Sequence, residues 1–238
     1  MQAVGHGGGK GEWQERIIFD PGRYPKQKDA AAALERFLVE YPPSRTSNQR
    51  AAWVQVHARG HLKAKMNVEQ DVEGAVSEWR RLVQSGKEAL SVETTSRLAK
   101  KYNVLVGKWL LFPPPAAVDS LWAMIARGTV EGSLGSCSAK VSTVPNNSNS
   151  NNNEEDSNKN FVMCVYTHDF TDHAHVLQVR QALHEILQDL CAAAGCEKKR
   201  GRATCAHKAK LPYKPDIHTY LNIYKNNAWG IPPALFYR

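Results

Sequence analysis

The sequence predicts an α+β fold, a largely antiparallel sheet with helices on one face. Three observations carry this. Two hydrophobic periods alternate along the chain, one near 3.6 residues and one of two. Segments with the shorter period follow one another with few helices between them, which favours antiparallel pairing over parallel crossovers. The 238 residues are 42% apolar and 23% charged, ordinary globular values and enough for one substantial core without disulfide staples.

Residues 1–28 read as a flexible lead, because Gly5, Gly7, Gly8, Gly9 and Gly11 leave the backbone costly to order. Residues 29–238 read as one domain. A helix is predicted over 29–41, where Leu34, Phe37, Leu38 and Tyr41 share one face, Asp29 can cap the start and Pro42-Pro43 stops it. Trp53 to His57 alternates and reads as a short strand, although 48–52 could also begin a helix. A second helix covers 68–84, with Trp79 on its apolar stripe, and Gly86 ends it. A third covers 92–102 and opens at Ser91.

The next strand spans 104–112 and closes at three prolines. A helix over 117–127 follows, burying Val118, Leu121, Trp122 and Ile125, with Gly128 and Gly132 loosening what comes after. Residues 137–144 read as a strand. Residues 146–160 are Asn-rich and hold no apolar side chain, so a disordered loop is expected there. The apolar run 161–167 reads as a strand, and a long helix then extends to about 194. Residues 196–210 are basic. A last strand is predicted over 218–225, followed by a Pro-containing tail.

Several function classes are excluded or disfavoured. The most apolar stretch, 104–118, is interrupted by Lys108 and prolines and is shorter than the ~20 residues a bilayer span needs. The start of the chain lacks an apolar h-region and does not resemble a transit peptide. A cytoplasmic location, with a nuclear share, is therefore expected, and five cysteines fit reduced thiols there. The net charge of +8 points weakly to polyanionic partners.

Five motifs then carry a resemblance. They are GKWLLF (107–112), VDSLWAMIARGTVEGSLG (118–135), SAKVST (138–143), VMCVYTHDFTD (162–172) and YKPDIHTYLNIYKNNAWGIPPALFY (213–237). Together they resemble the basophilic-leukaemia-expressed protein family, uncharacterised eukaryotic proteins. The resemblance implies the fold of translation initiation factor 4E, the messenger-RNA cap-binding protein, and so a curved antiparallel sheet backed by helices. The helices over 68–102 would then be an insertion between the first two strands. It also implies a cap site with two stacking tryptophans. Here the first could come only from Trp79, which the helical stripe assigns to the core, and the Asn-rich loop that should supply the second has none. A standard cap sandwich is not expected. Fold alone does not give activity.

Candidate binding residues come from the strands. Lys108, Lys140 and Lys214 fall in or beside predicted strands, with Lys140 sharing parity with Ser138 and Ser142 and Lys108 with Leu110 and Phe112. Lysines on the face away from the helices would line a concave floor. Arg127 adds charge, and Tyr220 and Trp229, with Tyr166 and Tyr224, offer stacking surface. Cations that track phosphates beside rings that stack on bases make a single-strand binding surface. The competing reading is that these lysines decorate an open sheet face. Lys214 and Asp216 could pair, and Asn226-Asn227 is expected to turn.

No metal site is expected. His173 and His175 are two apart on a helix and point in different directions, Asp172 or Thr171 serves as its cap, and Cys191, Cys196, Cys205 and His207 lack a standard zinc spacing. The basic loop around Lys198 to Arg202 reads as solvated charge or a weak nuclear signal. No cofactor fingerprint and no catalytic motif is evident, and Cys164 sits inside an apolar strand. The expected function is a non-catalytic module binding RNA or a phosphate-bearing nucleotide. The alternative is a protein-interaction adaptor with an exposed apolar patch beside Trp79 or Trp122.

Overall fold

A computed structural model describes residues 15–61, 69–86, 90–144, 160–193, 195 and 211–235. The glycine-rich start, nearly all of the Asn-rich loop and the basic segment 196–210 lie outside them. The architecture is α+β, with a six-stranded, mostly antiparallel sheet.

The lead expected to be loose through residue 28 holds regular structure from Arg16 onward. Strand β1 (Arg16–Phe19) is followed by a 3-10 turn that Asp20 caps through the Gly22 N–H at 2.9 Å. Helix α1 (Gln27–Glu40) then buries Ala30, Ala33 and Leu34. Phe19 is the anchor the glycine-rich composition hid: its ring packs 5.8 Å from Tyr24 and 5.4 Å from Phe37, area large enough to order a short strand.

Strand β2 (Trp53–His57) forms as its alternation requires. Helices α2 (Val72–Ser85) and α3 (Val92–Lys101) open at Asp71 and Ser91, whose side chains accept from the Gly74 and Thr94 N–H groups. They lie between the second and third strands, not the first two, because β1 precedes them. Strand β3 (Gly107–Leu111) leads through the prolines into α4 (Pro115–Glu131). That helix runs past Gly128. The residue is buried inside it, where a Cβ would lie 3.2 Å from that of Leu134, and the left-handed Gly132 (φ 90°) ends the helix.

Strands β4 (Ser138–Ser142) and β5 (Met163–Thr167) and the long helix α5 (His173–Ala193) follow. Asp172 caps α5 through the His175 N–H at 3.1 Å. The last strand, β6, is Tyr213–Pro215, and Asp216–Tyr220 is a short helix, α6. The strand predicted over 218–225 therefore does not form. The ladder closes just past Pro215, where the Asp216 N–H donates to the Val106 carbonyl at 2.8 Å, and the buried Ile217, His218 and Leu221 then follow a helical turn rather than alternation. Asn222 (φ 56°) then reverses the chain.

The strand order is β1-β2-β4-β5-β3-β6, with β1 and β2 parallel and every other pair antiparallel. Val54, Val56, Ala139, Val141, Met163, Val165, Trp109, Leu111 and Tyr213 share one face and are buried. Helix α4 lies against β2 and β4, and α5 against β5. The Trp109 indole N–H donates to the Val176 carbonyl of α5 at 3.2 Å. Helices α2, α3 and α6 gather at the β3–β6 side. Gly107 is glycine because the Tyr213 hydroxyl occupies the place its Cβ would take. No helix among the described residues is long and apolar enough to cross a membrane.

Candidate functional site

Period two sends alternate residues to the sheet's second face, and the observed register shows which ones. His57, Ser138, Tyr166, Lys108 and Lys214 form one row across five strands. Ile18, Gln55, Lys140, Cys164 and Leu110 form the next, and Arg16, Trp53 and Ser142 begin a third. The three candidate lysines thus share one face, opposite the helix-backed core. Ile18, at 45% exposure, and Phe112, at 50%, show that part of this face meets solvent.

The lysines differ in their surroundings. Lys108 and Lys214 stand directly opposite each other, a repulsive arrangement for like charges. The chain relieves it locally. The Lys108 ammonium is paired with Asp216 and donates to Thr219 Oγ1 at 3.3 Å. Asp216 therefore pairs with Lys108, not with Lys214 as its spacing suggests. Lys214 Nζ donates to the Ile223 carbonyl at 3.0 Å and rests 3.9 Å from the Tyr224 ring centre. Burial first, and the Lys108 charge second, bring its pKa down to about 8.

Among the described residues, Lys140 is held by rings. Its ammonium lies 4.0 Å from the Trp53 ring centre and 5.9 Å from that of Tyr166, the distances of cation–π contact. Among the described residues no carboxylate or carbonyl bonds it. Burial lowers its pKa to about 8, with the nearby charges of Arg16 and Lys108 acting in the same direction. Desolvation also drives the Tyr166 phenol well above its ordinary value, so it stays neutral. Arg16 acts on Lys140, Tyr166 and Tyr220 alike, which places its charge over the same zone. The Gln55 amide, which donates to Ser138 Oγ at 3.0 Å, borders it.

The remaining candidates fall elsewhere. Arg127 is on α4, on the helical side, where it forms a two-pronged pair with Glu35 of α1 at 2.7 Å for each contact. Trp229 packs edge-on against Trp79 with ring centres 5.0 Å apart. Trp79 is buried, as its helical stripe requires, and so is Trp122. Trp79 and Trp229 line a groove of about 270 Å³ with Val76, Val83 and Tyr220. Tyr220, 41% exposed, belongs to the wall of that groove and to the field of the open face. The Asn227 side chain builds the expected turn, accepting from the Ile231 N–H at 3.1 Å.

Two members of the site were missed in the sequence. Trp53 was legible, because it shares parity with Gln55 in an alternating run. Arg16 was hidden by the composition of the segment around it.

The family described as basophilic leukemia-expressed protein Bles03 matches residues 79–222. The matched span runs from Trp79 in α2 to the turn after α6, and so takes in Lys108, Lys140, Lys214 and Tyr220. Arg16, Trp53 and Trp229 lie beyond it, as does the end of the last quoted motif. With more than half of its length matched, the chain belongs to the basophilic leukemia-expressed protein family.

Proposed function

We propose that the chain is a non-catalytic binding module. It holds a phosphate-bearing nucleotide, free or within single-stranded RNA, on the open face of its sheet. One observation carries this reading: Lys140 presents an ammonium on two aromatic rings, and among the described residues no anion is bonded to it. A phosphate oxygen is the partner such a cation lacks. Arg16 reinforces the field, and Lys108 and Lys214 add charge around the site while remaining bonded within the chain. Tyr220 and Tyr224, 41% and 54% exposed, offer faces on which a base can stack.

Kinship with the initiation factor 4E fold belongs to the same proposal, supported by a mostly antiparallel sheet with helices against one face. The cap sandwich does not, since Trp79 is buried under Trp229. A cytoplasmic or nuclear place belongs to the same proposal.

The test is titration of the full chain with a short oligoribonucleotide, a nucleoside triphosphate and inorganic phosphate at several salt concentrations. RNA binding should weaken with salt at a slope of about −0.7 per phosphate contact, and Lys140→Met should weaken it further. Binding of the triphosphate alone would assign the site to free nucleotide. No binding at low salt, or binding indifferent to Lys140→Met, overturns the reading.

The groove between α2 and the C-terminal segment supports a second reading, an adaptor that docks a protein segment beside Val83, which is 38% exposed. A partner retained after ribonuclease treatment, and lost on Val83→Glu, would favour it.

A further inference from the structure

We propose that His61, Cys137 and His168 form a divalent-metal site suited to zinc, at one end of the sheet. The topology brings them together. Strand β2 ends at His57, β4 begins at Ser138 and β5 ends at Thr167. His57 pairs with Ser138, and Ser138 with Tyr166. The antiparallel ladder therefore stacks the end of β2, the start of β4 and the end of β5 at the same edge. His61 lies just past the first, Cys137 just before the second and His168 just past the third.

One ring nitrogen from each histidine and the Cys137 sulfur all lie within 4.8 Å of one another. Ligands around a tetrahedral zinc, with bonds of about 2.0–2.3 Å, stand roughly 3.5 Å apart. Small side-chain rotations therefore close the set around an ion. Two imidazoles and a thiolate are a donor set that zinc accepts, and they leave a fourth position for water or an exogenous ligand.

The surroundings suit the role. Cys137 is buried, and its thiol donates to the Tyr166 carbonyl at 3.3 Å. His168 is exposed and gives the ion a path from solvent. The His61 ring meets that of His57 edge-on at 4.8 Å and lies 5.7 Å from that of His168. Gln55 Nε2 stands 3.0 Å from His57 Nε2 and donates to Ser138 Oγ. This gives the histidine pair a braced outer layer of the kind that orients metal ligands. His175 stands apart, with its Nε2 3.0 Å from the Gly135 carbonyl. The neighbouring Asp169 is engaged by the Thr171 N–H and hydroxyl.

On binding, the Cys137 thiol releases its proton to solvent and exchanges its hydrogen bond to Tyr166 for a sulfur–metal bond. Nothing is oxidised or reduced. The site would clip three strand ends together, and it does not depend on the nucleotide reading. It is invisible to spacing rules because its ligands come from three distant segments.

The test uses the full chain, stripped with chelator and titrated with cobalt(II), then zinc. A single equivalent of cobalt should produce a thiolate-to-metal charge-transfer band that zinc abolishes. Cys137→Ser should remove the band, whereas the double change Cys196→Ser and Cys205→Ser should keep it. His168→Gln, at an exposed position, should weaken cobalt binding by more than about tenfold, the loss that even outer-layer substitutions can cause. Circular dichroism establishes that each variant is folded, and if Cys137→Ser is not, His168→Gln decides. Absence of the band in the full chain, its survival in folded Cys137→Ser, or indifference to His168→Gln overturns the proposal.

Discussion

The β3–β6 edge and the β2–β4–β5 centre carry the same residue type on the same face and use it in opposite ways. At the edge, Lys108 and Lys214 are bonded within the chain, to Asp216, Thr219 and the Ile223 carbonyl. At the centre, Lys140 rests on two rings, and among the described residues no carboxylate pairs with it directly. Strand parity decides which face a lysine joins. The segment that folds over that face decides whether its charge is available. Here that segment is 216–224, and it reaches the edge.

Three measurements would break or sharpen this contrast. The largest effect is expected from Lys108→Met, which leaves Asp216 without its cation in a mostly enclosed place. Removing one partner of such a pair costs about 3 kcal/mol, read as a lower urea midpoint. Lys140→Met should change stability by less than about 1 kcal/mol, since only a ring contact is lost. Equal losses at the two sites would erase the distinction.

The next effect concerns pH. The pKa of Lys140 is depressed to about 8 in the free protein, and a bound phosphate favours the ammonium form and raises it. Binding therefore takes up a proton once the pH exceeds about 8. Affinity should be flat below that value and fall above it by about tenfold per pH unit, one proton's worth of linkage. Calorimetry across that range should show the decline in the native protein and its loss in Lys140→Met. A decline that persists in the variant would transfer the effect to Lys214, whose pKa is also about 8.

The smallest effect is expected at Arg127. Its pair with Glu35 is exposed on both sides, and surface pairs contribute about 0.5 kcal/mol. Arg127→Ala should leave nucleotide affinity unchanged and lower thermal stability only marginally. A clear loss of affinity would return the helical side to the site.

Much of the scaffold was readable because burial is periodic. The stripe through Val118, Leu121, Trp122 and Ile125 and the alternation through Ser138 to Ser142 each determine a face, and both faces stand as read. The error at 218–225 has a different origin. The run HTYLNIYK alternates well enough to suit a strand, but the ladder with β3 closes at Asp216, and the hydrophobic residues were also compatible with a helical turn. In the site, parity found the lysines and missed their partners. Asp216 meets Lys108 across the β3–β6 pairing, which joins segments far apart in sequence and leaves no local pattern, and β1 was obscured because glycine-rich composition was extended too far past Gly11.

The C-terminal segment has one more consequence. The outer rim of β6 does not stand open: the Leu235 N–H donates to the Tyr213 carbonyl at 2.8 Å. With Pro215 withholding a donor from the same short strand, this rim offers little template to a stray strand from another molecule. The tail therefore acts as a guard against self-association, and cutting it away would expose a surface on which copies of the chain could aggregate.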